Sequence, residues 1–156
     1  MKGQPAIIDL LNDLLTNELT SAQQYLGHAE MCENWGFERL AQKVKSEVED
    51  ERKHADALID RILYLDGTPN LGKLNPLHIG KTVPDQLQSD LKLEKAAIDT
   101  LNKCIQQARN AGDNGTEALL TGMLTDEEEH AHWLEEQLEL IGMVGLQNYL
   151  AQQMHA

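Results

Sequence analysis

Aromatic side chains are scarce in this 156-residue chain: two tryptophans, three tyrosines and one phenylalanine, 4% of the whole. A core without them must be built from Leu, Ile, Val, Ala and Met, which suits helices better than sheets. Cationic side chains are also few, 13 Lys and Arg against 26 Asp and Glu, for a formal net charge of −13. That shortage argues against a nucleic-acid ligand, whose phosphates need Lys and Arg, and against an anionic membrane surface. The acidic excess suits the attraction of cations. The two cysteines, Cys32 and Cys104, have neither metal-ligand spacing nor the pattern of a disulfide framework. No apolar run reaches the ~18 residues of a membrane span. The opening MKGQPAIIDLLNDLL is too polar for a secretory leader. These absences lead to the expectation of a cytoplasmic protein, one domain over residues 1–156, long enough to bury a substantial core.

Helical periodicity is present almost throughout. Apolar residues step by three and four along four segments, the signature of packed amphipathic helices. The first is predicted from Pro5 to Asn34, with Ile8, Leu11, Leu15, Ala22 and Ala29 on one stripe. The second runs from Phe37 to Leu65, the third from Pro84 to Asn110 and the fourth from Thr116 to Ile141. A short fifth, Leu146 to Gln153, follows a break at Gly142 and Gly145. The one long connection, Asp66 to Val83, is rich in Gly and Pro and reads as loop. Its 18 residues reach about 60 Å when extended, and a helix of this size is roughly 40 Å long. The loop can therefore cross the whole bundle and start the third helix at the far end. The fold class is all-α, an antiparallel four-helix bundle with one long crossover.

Each stripe is interrupted once, and each interruption is a glutamate. The steps read Leu15, Glu18, Ala22; Val48, Glu51, Ala55; Leu91, Glu94, Ile98; and Leu124, Glu127, Ala131. Glu is almost never fully buried unless paired, and four unpaired carboxylates in one core would repel strongly. Bound cations remove both difficulties. His54 and His130 lie three residues beyond Glu51 and Glu127, on the same helix faces. One Glu-x-x-His is usually two solvated residues, but these two stand in matched register. Glu18 precedes Gly36 by 18 residues and His54 follows it by 18; Glu94 and His130 stand likewise about Gly112. The two halves superpose at an offset of 76 residues, so two helical hairpins would face each other across a pseudo-two-fold di-metal site. Four carboxylates and two imidazoles suit iron or manganese with redox chemistry, and the set is that of ferritin-like bundles. Glu47, one turn before Glu51, is ambiguous, whereas Glu128 and Glu129 read as solvated.

With these ligands stand NELTSAQQY, NWGFERL, KHAD, GTPNL, SDLKLE, DEEEH and GLQNYL, and over essentially its whole length the chain resembles the bacterioferritins. The resemblance implies a ferritin-like bundle and iron storage in a hollow shell of 24 chains. A ferroxidase centre would oxidise Fe(II) with O2 or H2O2. Glu18 and Glu94 would each cap one iron, Glu51 and Glu127 would bridge both, and His54 and His130 would bind one each. It implies further that Tyr25 lies beside the centre as an electron donor, although a plain core aromatic fits the stripe equally. A ferredoxin-type reductant for iron release belongs to the same expectation. Two positions depart from the family pattern. The residue after the helix-two bridging glutamate is typically the methionine that ligates haem b between subunits; here it is Arg52, which has no soft donor and stays charged. Haem is therefore in doubt, and the shell is either homomeric or mixed with a haem-binding bacterioferritin subunit. An inner-surface iron site would pair Asp50 with a histidine, but that position holds Ser46. Asn34, Asp66 and Asn148 stand near helix ends, either lining shell openings or serving as caps and turns.

Overall fold

A computed structural model describes residues 1–155. The elements are α1 (Pro5–Asn34), α2 (Glu38–Tyr64), α3 (Val83–Asn110), α4 (Asn114–Val144) and α5 (Leu146–Ala151), and no strand occurs among the described residues. The predicted bundle is the one found, with small differences at the ends. The fourth helix runs through Gly142 to Val144, so the break before α5 falls at Gly145 alone, where φ is +85°. The fifth helix ends at Ala151, two residues before the predicted Gln153.

The two hairpin turns repeat each other at the 76-residue offset. In the first, the Gly36 amide donates to the Glu33 carbonyl and the Phe37 amide to that of Cys32. In the second, the Gly112 amide donates to Arg109 and the Asp113 amide to Ala108. Both are Schellman-type helix ends whose turning residue must adopt a positive φ, +87° at Gly36 and +70° at Gly112. Glycine takes that conformation without steric cost.

The crossover runs alongside α1 in the same direction, hydrogen-bonded to it at successive turns. The Asn70 amide donates to Asn12 Oδ1, the Asn75 amide to the Thr20 hydroxyl, the His78 amide to Gln24 Oε1 and the Gly80 amide to His28 Nε2. Thus α3 begins beside the end of α1, where the Cys32 thiol contacts Gln86 Oε1 at 3.3 Å. Helices α1 and α3 are antiparallel neighbours on one side of the bundle, and α2 and α4 on the other.

Burial divides the interior into two apolar layers. One holds Leu11, Leu14, Leu15, Leu58, Ile62, Leu101 and Leu120. The other holds Tyr25, Ala29, Leu40, Val44, Leu87 and Leu134. The in-stripe glutamates and histidines of all four long helices lie in the seam between them, polar groups held in register by apolar layers on both sides.

Candidate metal centre

All six predicted ligand residues are buried: Glu18 is 3% exposed, Glu51 2%, His54 7%, Glu94 1%, Glu127 1% and His130 6%. They form two overlapping sets of four. Glu18, Glu51, His54 and Glu127 offer one ligand atom each within 4.8 Å of one another, and so do Glu51, Glu94, Glu127 and His130. Glu51 and Glu127 belong to both sets. His54 Nδ1 lies 2.9 Å from Glu127 Oε1, and His130 Nδ1 lies 3.0 Å from Glu94 Oε1. Buried ligand atoms without a well-aligned hydrogen bond gather here: Glu18 Oε2, Glu51 Oε2, Glu94 Oε2, Glu127 Oε1 and His54 Nδ1. Native interiors rarely leave such atoms unsatisfied, and a pair of cations would satisfy all five.

The electrostatics carry the same message. Burial, followed by neighbouring carboxylates, pushes Glu51 far above the usual carboxylate range. Burial and contact with Glu127 do the same to Glu94, and burial raises Glu18 and Glu127 as well. Burial alone would lower the histidines. Contact with Glu127, Glu18 and Glu51 instead raises His54, and contact with Glu94 raises His130. Without cations the cluster therefore holds protons that ordinary carboxylates would have released. Metal ligation requires those protons to leave.

Surrounding groups orient the ligands. His54 turns its second nitrogen, Nε2, to Asp126 Oδ2 at 2.8 Å, the kind of outer partner that would orient the imidazole were Nδ1 to bind a metal. The Tyr25 hydroxyl donates to Glu94 Oε1, and its ring meets His130 edge-on with centroids 5.2 Å apart. Burial, then the charges of Glu94 and Asp90, hold the Tyr25 phenol well above its ordinary pKa. Tyr25 is thus fully buried and in contact with two of the predicted ligand residues, Glu94 and His130. Trp133 stacks on the other side of His130 at 6.4 Å. Glu47, ambiguous in the sequence, is buried; it lies 3.4 Å from His130 Nδ1 and 2.8 Å from the Lys43 ammonium.

Some features escaped the sequence reading. Asp126 was not singled out, although it and Asp50 match at the 76-residue offset, which was a usable signal. Gln24, His28 and Asp90 form a buried polar group one turn from Tyr25 and Glu94. Gln24 Nε2 donates to Asp90 Oδ1 at 2.9 Å, and His28 Nδ1 lies 2.9 Å from the same oxygen. Asn148 donates to the Val144 carbonyl at the end of α4, a capping contact. Asp66 occupies a turn with φ +60°, and Asn34 is the last residue of α1. Ser46 donates to the Lys43 carbonyl, and Asp50 stands exposed on the same helix.

Residues 8–144 match the family model described as a ferritin-like domain. The chain is a member of the ferritin-like family. It is 44% identical over 155 residues to a bacterial ferritin of Synechocystis, covering 99% of both chains. It is 46% identical to a bacterial ferritin of Pseudomonas aeruginosa, covering 98% of this chain and 99% of the relative. With a bacterioferritin of Mycolicibacterium paratuberculosis it shares 43%, over 97% of this chain and 96% of the relative. In this ferritin-like chain the position in doubt for haem, Arg52, opens on a hollow of about 340 Å³ lined also by Leu19, Ala22, Gln23, Leu71 and Leu74. That lining holds no Met, His or Cys. Arg52 itself lies 3.4 Å from Glu49 on the surface. The residues present do not fit haem ligation.

Proposed function

We propose that this chain stores iron and oxidises it at a centre formed by Glu18, Glu51, His54, Glu94, Glu127 and His130. The observation that carries the reading is the pair of four-ligand sets sharing Glu51 and Glu127. The shared carboxylates bridge two Fe(II) ions, Glu18 with His54 completes one position, and Glu94 with His130 completes the other. Six hard or intermediate donors, four of them anionic, favour Fe(III) over Fe(II). Each Fe(II) gives up one electron. The pair reduces H2O2 with two protons to two waters, or O2 with two protons to H2O2. Taking both electrons from one centre avoids one-electron reduction products. The ferric product then leaves for storage as mineral.

The surrounding residues have definite tasks. Asp126 holds the tautomer of His54. The apolar layers above and below keep bulk water from the carboxylates. Tyr25, protonated and hydrogen-bonded to Glu94, is placed to supply the second electron when only one Fe(II) is bound, its proton passing to Glu94. The assembled form is a shell of 24 chains, either of this chain alone or mixed with a haem-binding bacterioferritin subunit, and a ferredoxin-type reductant would release the iron. Among the described residues no helix is long and apolar enough to cross a membrane. The compartment proposed, by likeness to the bacterioferritins, is the cytoplasm.

Rapid mixing of Fe(II) with the metal-free protein tests the centre. A fast oxidation phase saturating near two Fe(II) per chain is expected, with the phase lost in Glu127→Ala. Tyr25→Phe should keep the phase and lose any tyrosyl radical signal. A Glu127→Ala variant that folds, assembles and oxidises Fe(II) at the original rate would remove the assignment.

A further inference from the structure

The 76-residue offset that relates the ligand sets also relates the openings above them. It pairs Asn17 with Leu93, Thr20 with Ala96 and Ser21 with Ala97. Together with Asn75 of the crossover, these residues line a small cavity of about 110 Å³ between α1 and α3. On the other side of the bundle the offset pairs Asp50 with Asp126. With Glu47 and Glu129 these border a hollow of about 180 Å³ between α2 and α4. The two hollows, one between α1 and α3 and one between α2 and α4, are thus each lined by residues that the offset pairs, and we treat them as the two windows of the bundle. The α1/α3 cavity is lined from the same helical turns that carry two of the ligand residues. Asn17 precedes Glu18 and Ser21 lies one turn after it, as Leu93 and Ala97 do about Glu94.

The two windows have opposite chemistry. The α2/α4 hollow carries four carboxylates and one ammonium, that of Lys43, which is paired with Glu47 at 2.8 Å. The α1/α3 cavity has no charged residue in its lining, in a chain of which a quarter is charged. Several of its polar groups are already engaged. Asn75 Nδ2 donates to Asn17 Oδ1, the Asn75 amide donates to the Thr20 hydroxyl, and that hydroxyl donates to the Thr16 carbonyl. A dication entering here would shed water with no counter-charge and few free oxygens to replace it, a steep desolvation penalty. A small neutral molecule meets no such penalty. The volume holds about three or four waters, room for O2 or H2O2 and little more.

We propose that the α1/α3 window is the passage for the neutral oxidant and is closed to iron. The proposal rests on the ferroxidase reading above and adds a division of routes to it. Ala97→Leu would narrow the window without touching a ligand. In the assembled variant, H2O2-driven oxidation of pre-bound Fe(II) should slow at least several-fold. Anaerobic binding of Co(II), followed by its visible absorption, should keep its rate and stoichiometry. Slowed Co(II) binding, or oxidation at the original rate, would overturn the proposal. A second measurement needs no variant. The protein's rate with tert-butyl hydroperoxide, relative to H2O2, should fall far below the same ratio for free Fe(II); equal ratios would overturn the proposal. Fe(II) oxidation no faster than in buffer would instead dispose of the ferroxidase reading itself.

Discussion

Replacing the two shared carboxylates by amides should make the metal-free protein more stable and, at the same time, indifferent to metal. Glu51 and Glu127 are 2% and 1% exposed, and each leaves one oxygen without a well-aligned hydrogen bond. An unsatisfied buried polar atom costs about 1–3 kcal/mol, and each carboxylate also faces other buried carboxylates. Gln at both positions keeps the shape, removes two potential charges and supplies N–H donors to the remaining oxygens. A gain of about 2 kcal/mol for the double variant E51Q/E127Q is a conservative expectation. In a chain of this length that raises Tm by roughly 4–8 °C. Metal acts in the opposite sense on the two proteins. Co(II) at about 100 times its Kd stabilises a protein that binds it by about 2.7 kcal/mol per site, so the unaltered protein should shift upward by at least roughly 5 °C. The double variant should not shift. The assay is thermal unfolding followed by circular dichroism, with and without Co(II), on samples of matched assembly state. A metal-free double variant that melts below the unaltered protein, together with an unaltered protein insensitive to Co(II), would refute the reasoning. The buried charges would then not be held against a cost, and no cation would relieve them.

Two other expectations follow from groups away from the centre. Asp113 caps α4: its carboxylate accepts from the Thr116 amide and hydroxyl and from Arg61 at 2.8 Å. Asp113→Ala should cost about 1–2 kcal/mol, read as a lower Tm. Burial would raise this carboxyl, but the Thr116 and Arg61 contacts outweigh it and hold the group below its ordinary 3.8. A depressed folded value means the cap's contribution is complete above about pH 4 and fades as pH falls through the lower folded value. The variant's deficit should therefore shrink in acid, and a deficit that grows there would contradict the assignment. For haem, the chain expressed and purified alone should show no Soret band, because the Arg52 hollow offers no soft donor. A band at one haem per two chains would mean that another residue ligates it.

The buried cluster of carboxylates was legible in the sequence because a carboxylate in an apolar stripe is a physical anomaly, and four anomalies at one register have few explanations. Glu18, Glu51, Glu94 and Glu127 each broke a three-or-four step that was otherwise unbroken. The hairpins were legible from Gly36 and Gly112, since a positive φ between two helices requires little else. Groups outside the stripes were harder. Asp126 is largely exposed and looks like any surface acid beside Glu127, and only the rotation of His54 gives it a role. Glu47 lies one turn from Glu51, and periodicity could not decide whether it turned toward solvent or toward His130.

The crossover explains why one part of the site could not be read at all. Thr20, Gln24 and His28 recur every fourth residue on α1, and a polar stripe at that spacing ordinarily faces water. Here all three are buried, because a strand of irregular backbone covers them and needs its amides satisfied. The Asn75, His78 and Gly80 amides find acceptors in those three side chains, while Gln24 and His28 turn their remaining nitrogens to Asp90 on α3. One acidic residue thereby ties α1, the crossover and α3 together, a single turn before Glu94. The contact fixes the height of α3 against α1, and that height decides whether Glu94 meets Glu51 and Glu127 or misses them. A one-turn slip of α3 would move Glu94 by about 5.4 Å along the bundle, more than the 4.8 Å within which its ligand set lies. Long-range polar pairing of this kind has no local signature. The sequence specifies it through three side chains on one helix, a loop with no periodicity, and one aspartate 66 residues after Gln24.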